Sequence, residues 1–281
     1  MVFSNLLHGI SALVALASTT LGAELTEVTN FGPNPSNAKM NIYVPDNLAA
    51  NPAVIVALHG CMGTGEMYYR QTQYPSKADA SGSFIVIYPS ANNRERCWDV
   101  ATDASLIHDG GSDSLAIVSM VQYTIATYAA DASRVFVTGS SSGGMMTNVL
   151  CAAYPDVFAA GSGPISADST CADGEMQKSP EEWGQIVREM YPGYEGSYPR
   201  FLTWHGTRDW LVKYPNLQEQ LDQWSNVFGL EWAGKVTDTP EAGYTEIVYG
   251  DGSVLKGYRA EGVGHTVPVH EDVDLAWFGI V

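Results

Sequence analysis

Three residues far apart in the chain have the types and the order that acyl transfer needs: Ser141, Asp209 and His265. Ser141 is the centre of Gly139-Ser140-Ser141-Ser142-Gly143, a G-x-S-x-G pentapeptide. The pattern is weak alone and gains weight from its flanks, the apolar run Arg134–Thr138 (RVFVT) before it and the helical pattern Gly143–Tyr154 after it. A sharp strand-to-helix turn lifts the serine hydroxyl clear of a sheet and crowds its backbone, and glycines two residues away on each side relieve that crowding. The start of the following helix favours the negative charge of a tetrahedral intermediate. Of the three serines, only the middle one occupies the apex.

Asp209 ends FLTWHGTRD, in which the apolar run Phe201–Trp204 is followed by a loop. A carboxylate there can reach an imidazole and fix its tautomer. Asp222 and Asp238 are the alternative acids. His265 lies in Gly262–Pro268 (GVGHTVP), whose glycines suit a tight loop. Among the other histidines, His8 is in the N-terminal segment and His108 in a polar loop. His59 and His205 end apolar runs and are expected to shape the site, and His270 is expected to be exposed. The order serine, aspartate, histidine is that of α/β-hydrolases.

The oxyanion donors are expected to be backbone N–H groups, one on Ser142 and one on Cys61 within His59-Gly60-Cys61-Met62-Gly63, with Met62 as the alternative. The expected reaction has His265 take the Ser141 proton as the hydroxyl attacks an ester carbonyl, then protonate the leaving oxygen; water repeats the cycle. No metal or cofactor is required. Tyr68, Tyr69 and Trp98 are read as packing, with a sugar platform as the alternative.

The elements that must carry these residues alternate. Ala53–Leu58, Phe84–Tyr88 (stopped by Pro89), Arg134–Thr138 and Phe201–Trp204 are apolar, β-branched runs that read as strands buried on both faces of a mainly parallel sheet. Helical patterns at Asp113–Ala129, Gly143–Tyr154 and Leu217–Phe228 lie between and after them, which is the signature of a doubly wound α/β sheet. Thr245–Tyr249 and Val254–Tyr258 flank Gly250-Asp251-Gly252-Ser253 as a hairpin, and Asp272–Ile280 is a closing helix. Ser162–Pro199 is expected to be a partly irregular cap or loop. No repeat, linker or appended module is visible.

Acidic residues outnumber basic ones 31 to 14, a formal net charge of −17. Such a surface repels phosphate polymers, anionic membranes and polyuronates, so neither nucleic acid nor membrane is an expected partner. A neutral ester or glycan remains compatible, and the chain is expected to act as a monomer. Residues 1–23 read as a secretory signal, with an apolar stretch from about Ile10 to Ala17 that is too short to span a bilayer. Cleavage after Ala17 or after Ala23 fits, and the n-region lacks Lys and Arg; a buried N-terminal helix is the alternative. Residues 24–281 then form one domain. Four cysteines, Cys61, Cys97, Cys151 and Cys171, allow three pairings, and their spacings do not suit zinc.

With these residues in view, the chain resembles the fungal acetylxylan esterases of the carbohydrate-esterase and polyhydroxybutyrate-depolymerase-like group, from about Leu25 to Ile280. The resemblance is carried by VTNFGPNP, LHGCMGTGEMYY, FIVIYPS, CWDV, GSSSGGMMTNVL, AAYPDVFAAG, HGTRD, YGDGSVLKGY and GVGHTVPVHEDVDLAWFGI. It implies Ser141, Asp209 and His265 as nucleophile, acid and base, an extracellular protein, and acetylated xylan or a related plant cell-wall polysaccharide as substrate. The group includes feruloyl esterases, so release of ferulate from arabinoxylan is the alternative. Departures fall at residues 162–171 (SGPISADSTC) and at Arg208 and Trp210 beside the acid. The cysteines of LHGC and CWDV follow successive strands, which points to a Cys61–Cys97 disulfide. Cys151–Cys171 is the remaining pair, with a buried free thiol at Cys151 as the alternative. A non-catalytic glycan-binding protein of the same fold would require a broken triad, and no member is missing.

Overall fold

The computed structural model describes residues 23–163 and 169–281, so the expected signal, residues 1–23, lies outside the described residues apart from Ala23. In chain order the elements are β1 (Thr26–Val28), β2 (Lys39–Tyr43), β3 (Ala53–Leu58), α1 (Gly65–Gln71), α2 (Tyr74–Ser81), β4 (Phe84–Ser90), α3 (Asp103–Leu106), α4 (Ser112–Tyr128), β5 (Val135–Gly139) and α5 (Ser142–Ala153). They continue with β6 (Ala160–Ser162), α6 (Ser169–Ala172), α7 (Pro180–Met190), β7 (Arg200–Gly206), α8 (Asn216–Phe228), β8 (Trp232–Thr237), β9 (Tyr244–Tyr249), β10 (Leu255–Ala260) and α9 (Glu271–Trp277).

The strands form one sheet in the order β1-β2-β4-β3-β5-β6-β7-β10-β9-β8. The centre, β4 through β10, is parallel, and both flanks are antiparallel. Every residue of β3 is buried. Its alternate side chains feed opposite layers: Val54, Val56 and Leu58 pack with α4, α5, α7 and α8, whereas Ala53, Ile55 and Ala57 pack with α1, α2 and α9. That two-sided burial is why the central runs read as continuously apolar. Parallel central strands bring the turns after β3, β5 and β7 to one edge of the sheet, where loops can carry chemistry.

Several details differ from the sequence expectations. β4 continues past Pro89 to Ser90, with Pro89 opposite Met40 of β2. On its other side the ladder to β3 ends at Ile87, so the missing N–H of Pro89 interrupts nothing there. The stretch expected to be irregular contains α7, started by a capping box between Ser179 and Glu182 and buried through Trp183, Val187 and Met190. Among the described residues no helix is long and apolar enough to cross a membrane.

Candidate active site

Ser141 sits between β5 and α5 with φ 55° and ψ −122°, a left-handed backbone that a non-glycine residue adopts only under tertiary constraint. The constraint is visible at the flanking glycines. A Cβ on Gly139 would run into the backbone of Gly143, and one on Gly143 would run into the Leu58 carbonyl oxygen of β3. The turn closes with Gly143 N–H donating to the Ser140 carbonyl at 2.9 Å and Met145 N–H to the Ser141 carbonyl at 3.0 Å. Ser142 opens α5, so its N–H has no carbonyl one turn earlier and is available to an anion.

The three sequence-predicted side chains converge. His265 Nε2 lies 2.8 Å from Ser141 Oγ. Its Nδ1 lies 2.9 Å from Asp209 Oδ2. Oδ1 of Asp209 accepts the backbone N–H of Leu211 at 2.9 Å and of Val212 at 2.8 Å, which fixes the plane of the carboxylate. An acceptor-only carboxylate at Nδ1 places the ring proton there and leaves Nε2 to accept from the serine. The acid loop is stitched to the histidine loop by Thr207 N–H donating to Ala260 and Arg208 N–H to Val263, both at 2.9 Å. The alternative acids stand elsewhere: Asp222 accepts from Gln218 on α8, and Asp238 accepts from Gly243 in a turn.

His205 and His59 line the spaces beside Ser141. His205 is buried, donates through Nε2 to the Val212 carbonyl at 2.9 Å, and stands 3.6 Å from Asp209 Oδ2. Burial holds its imidazole below the usual histidine range, so it stays neutral and leaves the charge of Asp209 to His265. His59 donates from Nδ1 to the Gly60 carbonyl at 2.7 Å and accepts from Ala91 N–H at 3.2 Å. Burial lowers its pKa too. Trp98 donates to the His59 carbonyl at 2.9 Å and is 3% exposed, and Tyr68 is 4% exposed, so both are packing and not a sugar platform. Tyr69 lies in an aromatic group with Tyr43 and Tyr88.

His59 and Trp98 brace the loop after β3. In it Met62 N–H is committed to the Glu95 carbonyl at 2.9 Å and Gly63 N–H to Gly60 at 3.1 Å. Among the described residues Cys61 N–H has no carbonyl partner, so it rather than Met62 is the candidate second donor. A Cβ on Gly60 would stand 3.2 Å from Ser141 Cβ, so the loop runs against the nucleophile turn.

Cys61 is bonded to Cys97, which ties this loop to the one after β4. Replacing both by serine is expected to lower Tm by about 10 °C. Closing a loop of 36 residues is worth about 3–4 kcal/mol, and a domain of this size moves about 2–4 °C per kcal/mol. Calorimetry of the double variant checks this; a Tm within a degree or two of wild type would mean the loops hold without the bridge.

The expected Cys151–Cys171 pairing is not formed. Cys151 is a fully buried thiol on α5, turned inward against Gly161 of β6, and burial pushes its thiol up. Cys171 Sγ instead contacts Met176 Sδ at 3.4 Å. His270 is also corrected: it is half-buried, stacked on Trp204 with centroids 4.4 Å apart and edge-on to Tyr244.

Two spaces adjoin Ser141. One is a cavity of about 50 Å³ walled by Ser141, His265, Ser162, Trp204, Val212 and Asp274. The other is an open groove of about 560 Å³ over Met62, Met67, Tyr68, Gln71, Val267 and Pro268. Sequence reasoning missed Asp274. It is 2% exposed, with Oδ2 accepting Tyr74 OH at 2.5 Å and Thr138 Oγ1 at 3.2 Å. The available signal was a lone acid between Val273 and Leu275 in a helix that packs on the sheet.

Residues 39–177 match the family described as Esterase PHB depolymerase. A feruloyl esterase B of Neurospora crassa is 52% identical over 96% of this chain and 97% of its own. An acetylxylan esterase A of Aspergillus ficuum is 44% identical over 99% of this chain and 95% of its own. The solved structure of an acetyl xylan esterase from Aspergillus awamori superposes with a TM-score of 0.88 at 44% identity, covering 92% of this chain and all of that one. With a single-domain α/β-hydrolase fold and identities of this size over nearly its full length, the chain belongs to the esterase family that contains the fungal feruloyl esterases B and acetylxylan esterases A, and it is a carboxylic ester hydrolase.

Proposed function

We propose that the protein is a secreted serine esterase that removes acetyl groups from acetylated xylan. The observation that carries the reading is one imidazole within hydrogen-bond distance of both Ser141 Oγ and the Asp209 carboxylate. Ser141 attacks the ester carbonyl while His265 Nε2 takes its proton. The amides of Cys61 and Ser142 receive the oxyanion, and Asp209 stabilises the imidazolium. His265 then returns the proton to the departing sugar oxygen, leaving an acetyl-enzyme that water hydrolyses by the same steps. The acidic surface favours a neutral ester over a charged one.

The acyl group follows from space. The cavity of about 50 Å³ beside Ser141 is sized for a small acyl group such as acetyl. The groove over Met62 and Met67 favours the second reading, a feruloyl esterase, because it is large enough for a hydroxycinnamoyl group. Acetylated xylan and methyl ferulate assayed side by side are expected to differ by at least about 100-fold in kcat/KM in favour of acetate release. Faster turnover of methyl ferulate by a similar factor would replace the first reading with the second.

A further inference from the structure

We propose that Asp274 is a positioning residue of the active site, whose carboxylate holds the histidine loop against the nucleophile turn. The inference rests on the reading of Ser141 and His265 as nucleophile and base. The loop that carries His265 ends at His270, and α9 begins at the next residue. Asp274 is the fourth residue of α9, so what holds Asp274 holds the end of that loop. Its Oδ2 takes the Tyr74 hydroxyl of α2 and the Thr138 hydroxyl of β5, three residues before Ser141. The Ser162 hydroxyl at the end of β6 faces the same carboxylate. One buried group therefore joins α9, α2 and β5 beneath the site, beside the end of β6.

The other oxygen is what a purely structural residue would not need. Among the described residues Asp274 Oδ1 is buried without a partner, as is His270 Nε2. Both residues line the cavity that Ser141 and His265 also line. The groups facing the carboxylate are Glu271 on its own helix, Tyr68 and Tyr74 from α1 and α2, Tyr258 from β10, and His265 and His270 from the loop. Among the described residues no lysine or arginine pairs with it.

Burial, opposed by the three hydroxyls and reinforced by Glu271, pushes its carboxyl up to about 6. A native pKa above the unfolded value gives stability that is complete below about pH 4 and is lost as pH rises through about 6. An ionised Asp274 at neutral pH thus opposes folding where asparagine would not. A charge retained against stability in the wall of a reaction site fits a role in function.

The test is Asp274→Asn, an isostere that keeps one acceptor, compared with wild type from pH 5 to pH 8. Two changes of opposite sense are expected. The Tm of the variant relative to wild type should rise by about 3–5 °C across that range. Its kcat for acetate release should be about 10-fold lower at pH 8 with KM unchanged. The gap should narrow toward pH 5, where wild-type Asp274 is itself protonated. Labelling of the serine by a fluorophosphonate should slow in parallel with kcat. A wild-type kcat at pH 8, or an equal loss at every pH, overturns the proposal. Should Asp274→Asn not fold, Tyr74→Phe removes one donor to the same oxygen, and an unchanged pH profile of kcat there overturns it equally. Ser141→Ala measured alongside separates the layers: turnover by that variant refutes the nucleophile, whereas an inert Ser141→Ala beside an unaffected Asp274→Asn refutes only the role of Asp274.

Discussion

Ser141→Ala is expected to lower acetate release from acetylated xylan by on the order of 10³-fold or more, with KM little changed. The hydroxyl stands 2.8 Å from His265 Nε2, and alanine leaves the imidazole with nothing to deprotonate. The residual rate would come from the Cys61 and Ser142 amides and from substrate binding, which keep working without a nucleophile. Fluorophosphonate labelling should disappear with the activity. A variant that still labels, or that keeps a tenth of wild-type turnover, would place the nucleophile elsewhere.

Asp209→Asn is expected to cost about 10³–10⁴-fold in kcat although it changes one atom. The geometry says which way the new amide must face. The N–H groups of Leu211 and Val212 both donate to Oδ1, so the amide oxygen stays there and the NH₂ group falls at the Oδ2 position. That position is 2.9 Å from His265 Nδ1, against 3.1 Å for Oδ1, so the NH₂ group takes the shorter contact to the ring. A donor facing Nδ1 drives the ring proton to Nε2, where it points at Ser141 and blocks proton removal. His205, kept neutral by burial and occupied with the Val212 carbonyl, cannot substitute for the carboxylate. Steady-state kinetics at fixed pH decide this; a loss below about 10-fold would mean that Asp209 does not set the tautomer.

The convergence of Ser141, Asp209 and His265 was the most legible feature of the candidate site. Ser141, Asp209 and His265 each sit in a short stretch whose glycines and flanking apolar runs leave few conformations, and β3 has the bounds of its apolar run, Ala53–Leu58. The central strands were legible because both faces are buried, so hydrophobicity alone marks them. The flanks were not. β8, WAGKVT, is exposed or partly exposed at every position and stands at the sheet edge beside β9, so no face imposes a pattern on it. β6 is three small residues, AGS, whose burial comes from Cys151 and Thr147 of α5 and from Phe201 of β7. His270 was misjudged because spacing after His265 does not reveal that Trp204 and Tyr244 close over it. The Cys151–Cys171 pairing failed because counting thiols carries no information on the direction in which a helical side chain points.

The left-handed backbone at residue 141 has an effect on how variants of this protein would fare when turnover is not the criterion. Holding a serine at φ 55° costs on the order of 1–3 kcal/mol, and glycine adopts that conformation without the penalty. A library sorted only for yield of soluble protein would therefore accumulate glycine at 141, enriching molecules that fold better and do nothing.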